Sequence, residues 1–151
     1  MLPSKHIILG FVSSLVLFFI YPEFGFLGIA IIFLSSFLLD FDHYLYYIFK
    51  KRDSSLKRAY NYFLKLRDFF GAADKGKKYK KPILIFHGVE FFIVLVLLTF
   101  FAPLFQFVLF GSLIHISLDF INSYINNQPI EYKISQIYNL IKNKNKKNLE
   151  I

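Results

Sequence analysis

Four stretches of the sequence, 7–21, 24–39, 83–101 and 104–121, are nearly free of Lys, Arg, Asp and Glu. Each approaches the roughly 20 apolar residues needed to cross the hydrocarbon layer of a bilayer. A chain of 151 residues that is 56% hydrophobic and contains 21 Phe has more apolar surface than one water-soluble core of that size can cover. The sequence therefore predicts an all-α fold, an integral membrane four-helix bundle forming a single membrane domain. The first two stretches are short, so Tyr21, Tyr44, Tyr46 and Tyr47 are expected in the aromatic belt at the membrane surface. Tyr-Pro-Glu follows the first apolar run and a second run begins at once, which is unlike a cleaved signal peptide.

The net charge of +8 is unevenly placed. Twelve Lys or Arg against Asp53, Asp68 and Asp74 give the 50–81 segment a net charge of +9, and the tail from Pro129 carries +3. The short connections at 21–24 and 102–103 hold only Glu23. Basic loops remain on the cytoplasmic side, so both termini and the middle loop are expected in the cytoplasm, with the chain in the cell (inner, cytoplasmic) membrane. This distribution points to anionic lipid headgroups as partners and away from nucleic acid. Cysteine is absent, so any metal would be held by His, carboxylate or water.

Two amphipathic patterns lie outside the spans. Leu56, Tyr60, Phe63, Leu66 and Phe70 recur at helical spacing, as do Ile130, Ile134, Ile137 and Ile141, and both predict helices lying on the membrane surface. The segment from Gly71 to Lys81 is expected to be an exposed loop, and the Lys/Asn tail from Lys142 onward to fray.

Ionisable residues within apolar segments carry the functional information, because each costs about 2.5–3.5 kcal/mol at mid-membrane on insertion scales. They are His6, Asp40, Asp42, His43, His87, Glu90, His115 and Asp119. Topology derived from Lys and Arg alone places all eight in one layer, at the cytoplasmic ends of the four spans. Asp40 with His43 and His87 with Glu90 are three apart, and His115 with Asp119 four apart, so each pair shares a helix face. Carboxylate and imidazole on facing helices are how helical bundles build metal sites. Asp42 points away in a regular helix, as a group behind the ligands or facing headgroups, unless the helix unwinds there. The competing reading is a set of interfacial caps and mutually satisfied polar pairs.

These residues resemble a family. An early His6, the Asp40-Phe41-Asp42-His43 element closing a span, His87 opening another, and His115-x-x-x-Asp119 closing the last are similar to the membrane-bound metal-dependent hydrolases of the YdjM type. Those share motifs with the zinc-dependent phospholipase C and P1 nuclease group. The resemblance covers most of the chain through short, scattered motifs. It departs at the third span, where the family pattern has His-Arg-Gly followed by Thr-His-Ser and this chain has Phe86-His87-Gly88-Val89-Glu90, with Glu90 as the possible substitute for a missing His. The resemblance implies hydrolysis of a phosphoester or phosphodiester.

The expected ligands are His6, Asp40, Asp42, His43, His87, Glu90, His115 and Asp119, with Asp40, Glu90 and Asp119 as catalytic carboxylates. Imidazole with carboxylate suits Zn²⁺ first, or Mn²⁺ or Fe²⁺, and such an ion activates water for attack on phosphorus. Lys80 and Lys81 are candidates for binding an anionic headgroup. A non-catalytic transporter or metal-handling protein is the alternative, and it requires polar groups deeper in the membrane.

Overall fold

The computed structural model describes residues 3–71, 78–126 and 134–149. Its helices are α1 (Pro3–Ile20), α2 (Gly25–Leu38), α3 (Phe41–Lys51), α4 (Leu56–Gly71), α5 (Val89–Thr99), α6 (Leu104–Ile125) and α7 (Gln136–Asn143). Short 3-10 turns occupy Pro22–Phe24 and Ile85–His87. Among the described residues no strand forms, only one isolated bridge between Tyr79 and Lys147. Three segments, Pro3–Ile20, Pro22–Lys51 and Leu104–Ile125, are long and apolar enough to cross a membrane.

Burial runs opposite to that of a water-soluble protein. Among the described residues the fully enclosed side chains are His6, His87, His115, Ser36, Ser112 and Ser123, with Ile32 as their large apolar companion. Ile8, Phe11, Phe19, Phe26, Phe100 and Phe101 face outward. An apolar exterior around a polar, small-residue interior is the arrangement expected where lipid is the solvent and helices associate by close packing.

The central helix α2 packs on α1 and α6, and α5 packs on α6. Glycine makes these contacts possible: a Cβ on Gly111 would collide with the Ile32 backbone carbonyl, and one on Gly10 would meet the Ser36 side chain. Ser35 and Ser36 return their hydroxyls to carbonyls of their own helix at 2.7 and 2.6 Å, so they fill the seam without an unpaired donor.

The 83–101 expectation needs correction. Helix α5 begins only at Val89 and has 11 residues, about 16 Å at 1.5 Å per residue, which is half the hydrocarbon thickness. Residues 83–88 form a non-helical strap between Pro82, which lacks a donor, and the extended Gly88. Such backbone is tolerated at membrane depth only when protein satisfies it. Here Leu84 N–H donates to Gln136 Oε1 (3.1 Å), Phe86 N–H to Asp42 Oδ2 (3.0 Å) and His87 N–H to the Leu84 carbonyl (3.1 Å).

The two amphipathic patterns have different fates. In α4, Leu66 turns inward with Ala59 and Tyr62 against Tyr47 of α3, and Phe63 and Phe70 pack on the same small core. Protein covers the Phe63, Leu66 and Phe70 part of that face, while Leu56 and Tyr60 stay exposed. Asp53 fastens the α3–α4 corner, accepting from Arg58 Nε and Nη2 at 2.6 and 2.7 Å and from the Tyr47 hydroxyl. Those hydrogen bonds, Arg58 first, hold its carboxyl well below the usual carboxylate range. The second pattern forms α7, although Ile130 lies outside the described residues. The tail beyond it is tied down, contrary to the expected fraying: Lys147 N–H donates to the Lys78 carbonyl (3.0 Å), Lys80 N–H to the Lys147 carbonyl (2.9 Å), and Leu149 packs on the α3–α4 core. The greater part of the expected 71–81 loop, residues 72–77, lies outside the described residues.

Candidate metal centre

The polar cluster forms where α2 gives way to α3. No Gly or Pro marks this junction, but the chain tightens there: Asp40 N–H donates to the Phe37 carbonyl and His43 N–H to the Asp40 carbonyl, at 3.2 and 3.1 Å. These three-residue bonds alter the angular spacing, so Asp40, Asp42 and His43 all reach one site. The tightening also leaves the Ser36 carbonyl without its usual helical donor. His115 Nδ1 approaches that oxygen at 2.9 Å.

Around Asp40 the cluster closes from four directions. Its Oδ1 lies 3.6 Å from His87 Nε2, 3.7 Å from His115 Nε2 and 3.5 Å from His43 Nδ1. Its Oδ2 lies 3.9 Å from His6 Nε2 and makes no hydrogen bond although buried. Asp119 approaches from α6, with Oδ1 3.2 Å from His6 Nε2 and Oδ2 4.0 Å from His87 Nε2. The His6 and His115 rings stack at 4.0 Å. Three sets have ligand atoms within 4.8 Å of one another: His6, Asp40 and His115; Asp40, His43 and His87; His87, His115 and Asp119. A buried His/Asp group of this kind can hold a metal ion.

Asp42 stands behind these groups. Its Oδ1 is 2.9 Å from His43 Nδ1, and its Oδ2 is 3.0 Å from His87 Nδ1 while also accepting from Phe86 N–H. It belongs to none of the three sets, so its place is that of the carboxylate that orients metal-binding imidazoles. Asp42→Asn keeps one acceptor oxygen but cannot accept from both rings. We expect a fall of about 10–100-fold in metal affinity, measured by competition with a chromogenic chelator in protein that remains folded.

Hydrogen-bond partners assign the tautomers. A carbonyl only accepts, so His115 carries its proton on Nδ1; His87 likewise donates Nδ1–H to ionised Asp42. Both Nε2 atoms then present lone pairs, yet they face each other at 3.1 Å. Such an approach requires positive charge shared between the rings. Three carboxylates enclosed among these rings create the same demand, since buried charge must be compensated. A shared proton meets the demand between the two rings, and a divalent cation could meet it as well.

Glu90 is not brought into this cluster. Its Oε1 accepts from the Ser135 hydroxyl and Ile137 N–H, and its Oε2 from Gln136 N–H at 3.1 Å. It caps the N-terminus of α7, where free N–H groups favour an anion. The expectation that it replaces a missing His is corrected, because the α-helix starts only at Val89, after a 3-10 turn at Ile85–His87, so no continuous α-helix face carries both His87 and Glu90. Gly88 makes room for the cap, since a Cβ there would press on Gln136 and on the Glu90 carboxylate. Lys80 and Lys81 flank the strap through their backbones, Lys81 N–H donating to Asn143 Oδ1 at 3.1 Å and its carbonyl accepting from Asn143 Nδ2 at 2.9 Å. The orienting Ser36 carbonyl escaped the sequence reading, for backbone groups leave no residue signal.

Comparison with protein-family models, curated proteins and solved structures finds no significant match for this chain.

Proposed function

We propose that this protein is a membrane-embedded, metal-dependent hydrolase acting on a phosphoester or phosphodiester at the cytoplasmic interface, lipid headgroups included. The observation that carries the reading is the convergence of His87 Nε2 and His115 Nε2, each with its Nδ1 engaged elsewhere. His6, Asp40, His87, His115 and Asp119 would hold the ion, zinc before manganese or iron for this donor set. A bound divalent ion supplies Lewis-acid activation of water and of a phosphoryl oxygen. In this reading Asp42 and the Ser36 carbonyl keep two rings in the tautomer that leaves Nε2 free for the ion, and Asp40 or Asp119 accepts a proton from attacking water. His43 sits at the rim, 28% exposed, with Nδ1 against Asp42, which leaves Nε2 to protonate a leaving oxygen. The basic segments support the cytoplasmic orientation and, with Lys80 and Lys81, an anionic substrate.

The test is metal analysis of protein purified in detergent, followed by hydrolysis assays on phosphatidyl headgroups and on a soluble aryl phosphodiester. Stoichiometric zinc, manganese or iron in wild type, its loss in His115→Ala, and metal-dependent turnover are expected. Wild type without stoichiometric metal would sink the proposal.

A second reading, a non-catalytic metal-handling or transport protein, draws on one observation. Ser14 and Ser112 are buried on α1 and α6, and their hydroxyls have no hydrogen-bond partner among the described residues. They extend polarity beyond His6 and His115 into the bundle. Stoichiometric metal with no turnover, together with metal flux into proteoliposomes, would favour it.

A further inference from the structure

Helix α7 is amphipathic in an inverted sense. Its polar residues Gln136 and Asn139 are 8% and 4% exposed against the protein, while Ile137 and Ile141 are each 59% exposed. The buried face is bonded, not merely covered: Gln136 Oε1 receives Leu84 N–H, and Asn143 pairs with both backbone groups of Lys81. The opposite face also carries Leu140, and Ile134 just before the helix is exposed as well. In α4 a similar periodicity finds a protein partner. In α7 the apolar face stays exposed.

We propose that α7 is a docking element for an anionic lipid leaflet, and that its polar face transmits this anchorage to the strap bearing His87. Charge complementarity selects the occupant. Lys142, Lys144 and Lys147 are exposed along and just beyond the helix, where headgroup phosphates lie once the isoleucines enter the acyl boundary. Lys142 Nζ also donates to the Tyr138 hydroxyl at 3.0 Å, and a protein partner would have to be acidic to match the three positive charges. Glu90 is the joint. Its carboxylate, two residues beyond Gly88, holds the first turn of α7, so α7 and the strap move as one body. Glu90 is thus a positioning residue acting through α7. The inference requires the membrane bundle and is independent of whether the cluster binds an ion.

The chain contains no Trp, so Ile137→Trp gives the full-length protein a lone reporter. The variant is reconstituted in phosphatidylcholine vesicles with and without phosphatidylglycerol, using acyl chains brominated near the headgroup or near the methyl end. Blue-shifted emission is expected, quenched more by shallow than by deep bromine and more strongly with phosphatidylglycerol present. Emission at the aqueous position without quenching would overturn the proposal. So would quenching that vanishes when protein is diluted into excess lipid, because that result assigns the face to a second copy. In Glu90→Ala, quenching should fall and hydrogen exchange at the Leu84 amide should rise about tenfold, as expected for loss of roughly one to two hydrogen bonds; unchanged exchange would refute the coupling. Metal content measured on the same samples separates this outcome from failure of the metal reading.

Discussion

Asp40→Asn is expected to abolish stoichiometric metal binding and, with it, hydrolysis. Asp40 is approached by all four histidines of the chain: it lies 3.5–3.9 Å from His43, His87, His115 and His6 and belongs to two of the three candidate ligand sets. The amide keeps its size but loses the negative charge and turns one ligand oxygen into a donor. Affinity should fall by more than the roughly 100-fold upper range for an orienting partner such as Asp42. Metal analysis and isothermal titration with zinc, alongside Asp42→Asn, provide the check. Equal losses in the two variants would place Asp40 and Asp42 in the same role and undo the distinction drawn from their contacts.

Gly111→Val is expected to give the largest loss of fold stability. The first added carbon meets the Ile32 backbone carbonyl, and a backbone at the centre of α2 cannot swing aside as a side chain can. Overpacking ordinarily costs about 1–3 kcal/mol, and a collision with a helix backbone belongs at or above the upper end. Gly10→Ala is the control, because its added methyl meets the Ser36 side chain and should be largely relieved by a paired Ser36→Ala. Thermal unfolding in detergent would show the asymmetry; equal midpoints for Gly111→Val and wild type would mean that α2 and α6 do not pack as closely as described.

The apolar stretches and charge asymmetry made the membrane bundle legible, because lipid imposes length and composition directly on sequence. The layer of His and Asp was legible for the same reason: ionisable groups stand out against an apolar background. Glu90 does not join His87 because the i, i+3 rule assumes a continuous α-helix, and between Pro82 and Gly88 the chain is not α-helical. Asp42 is a different case. It reaches the cluster through a tightened turn that no Gly or Pro announces, so neither its direction nor its hold on two imidazoles could follow from spacing. Periodicity also could not tell α4 from α7, since it specifies that a face is apolar and not what covers it.

His6 and Asp119 meet across 113 positions of sequence, and this has a consequence for how the molecule comes into being. Ribosomal synthesis delivers His6, Asp40, Asp42 and His43 well before residue 119, so the first hairpin can pair these groups only among themselves. They can wait at the water boundary, but they cannot settle until α6 arrives. The polar interior is therefore complete only once α6 has been made, close to the end of the chain.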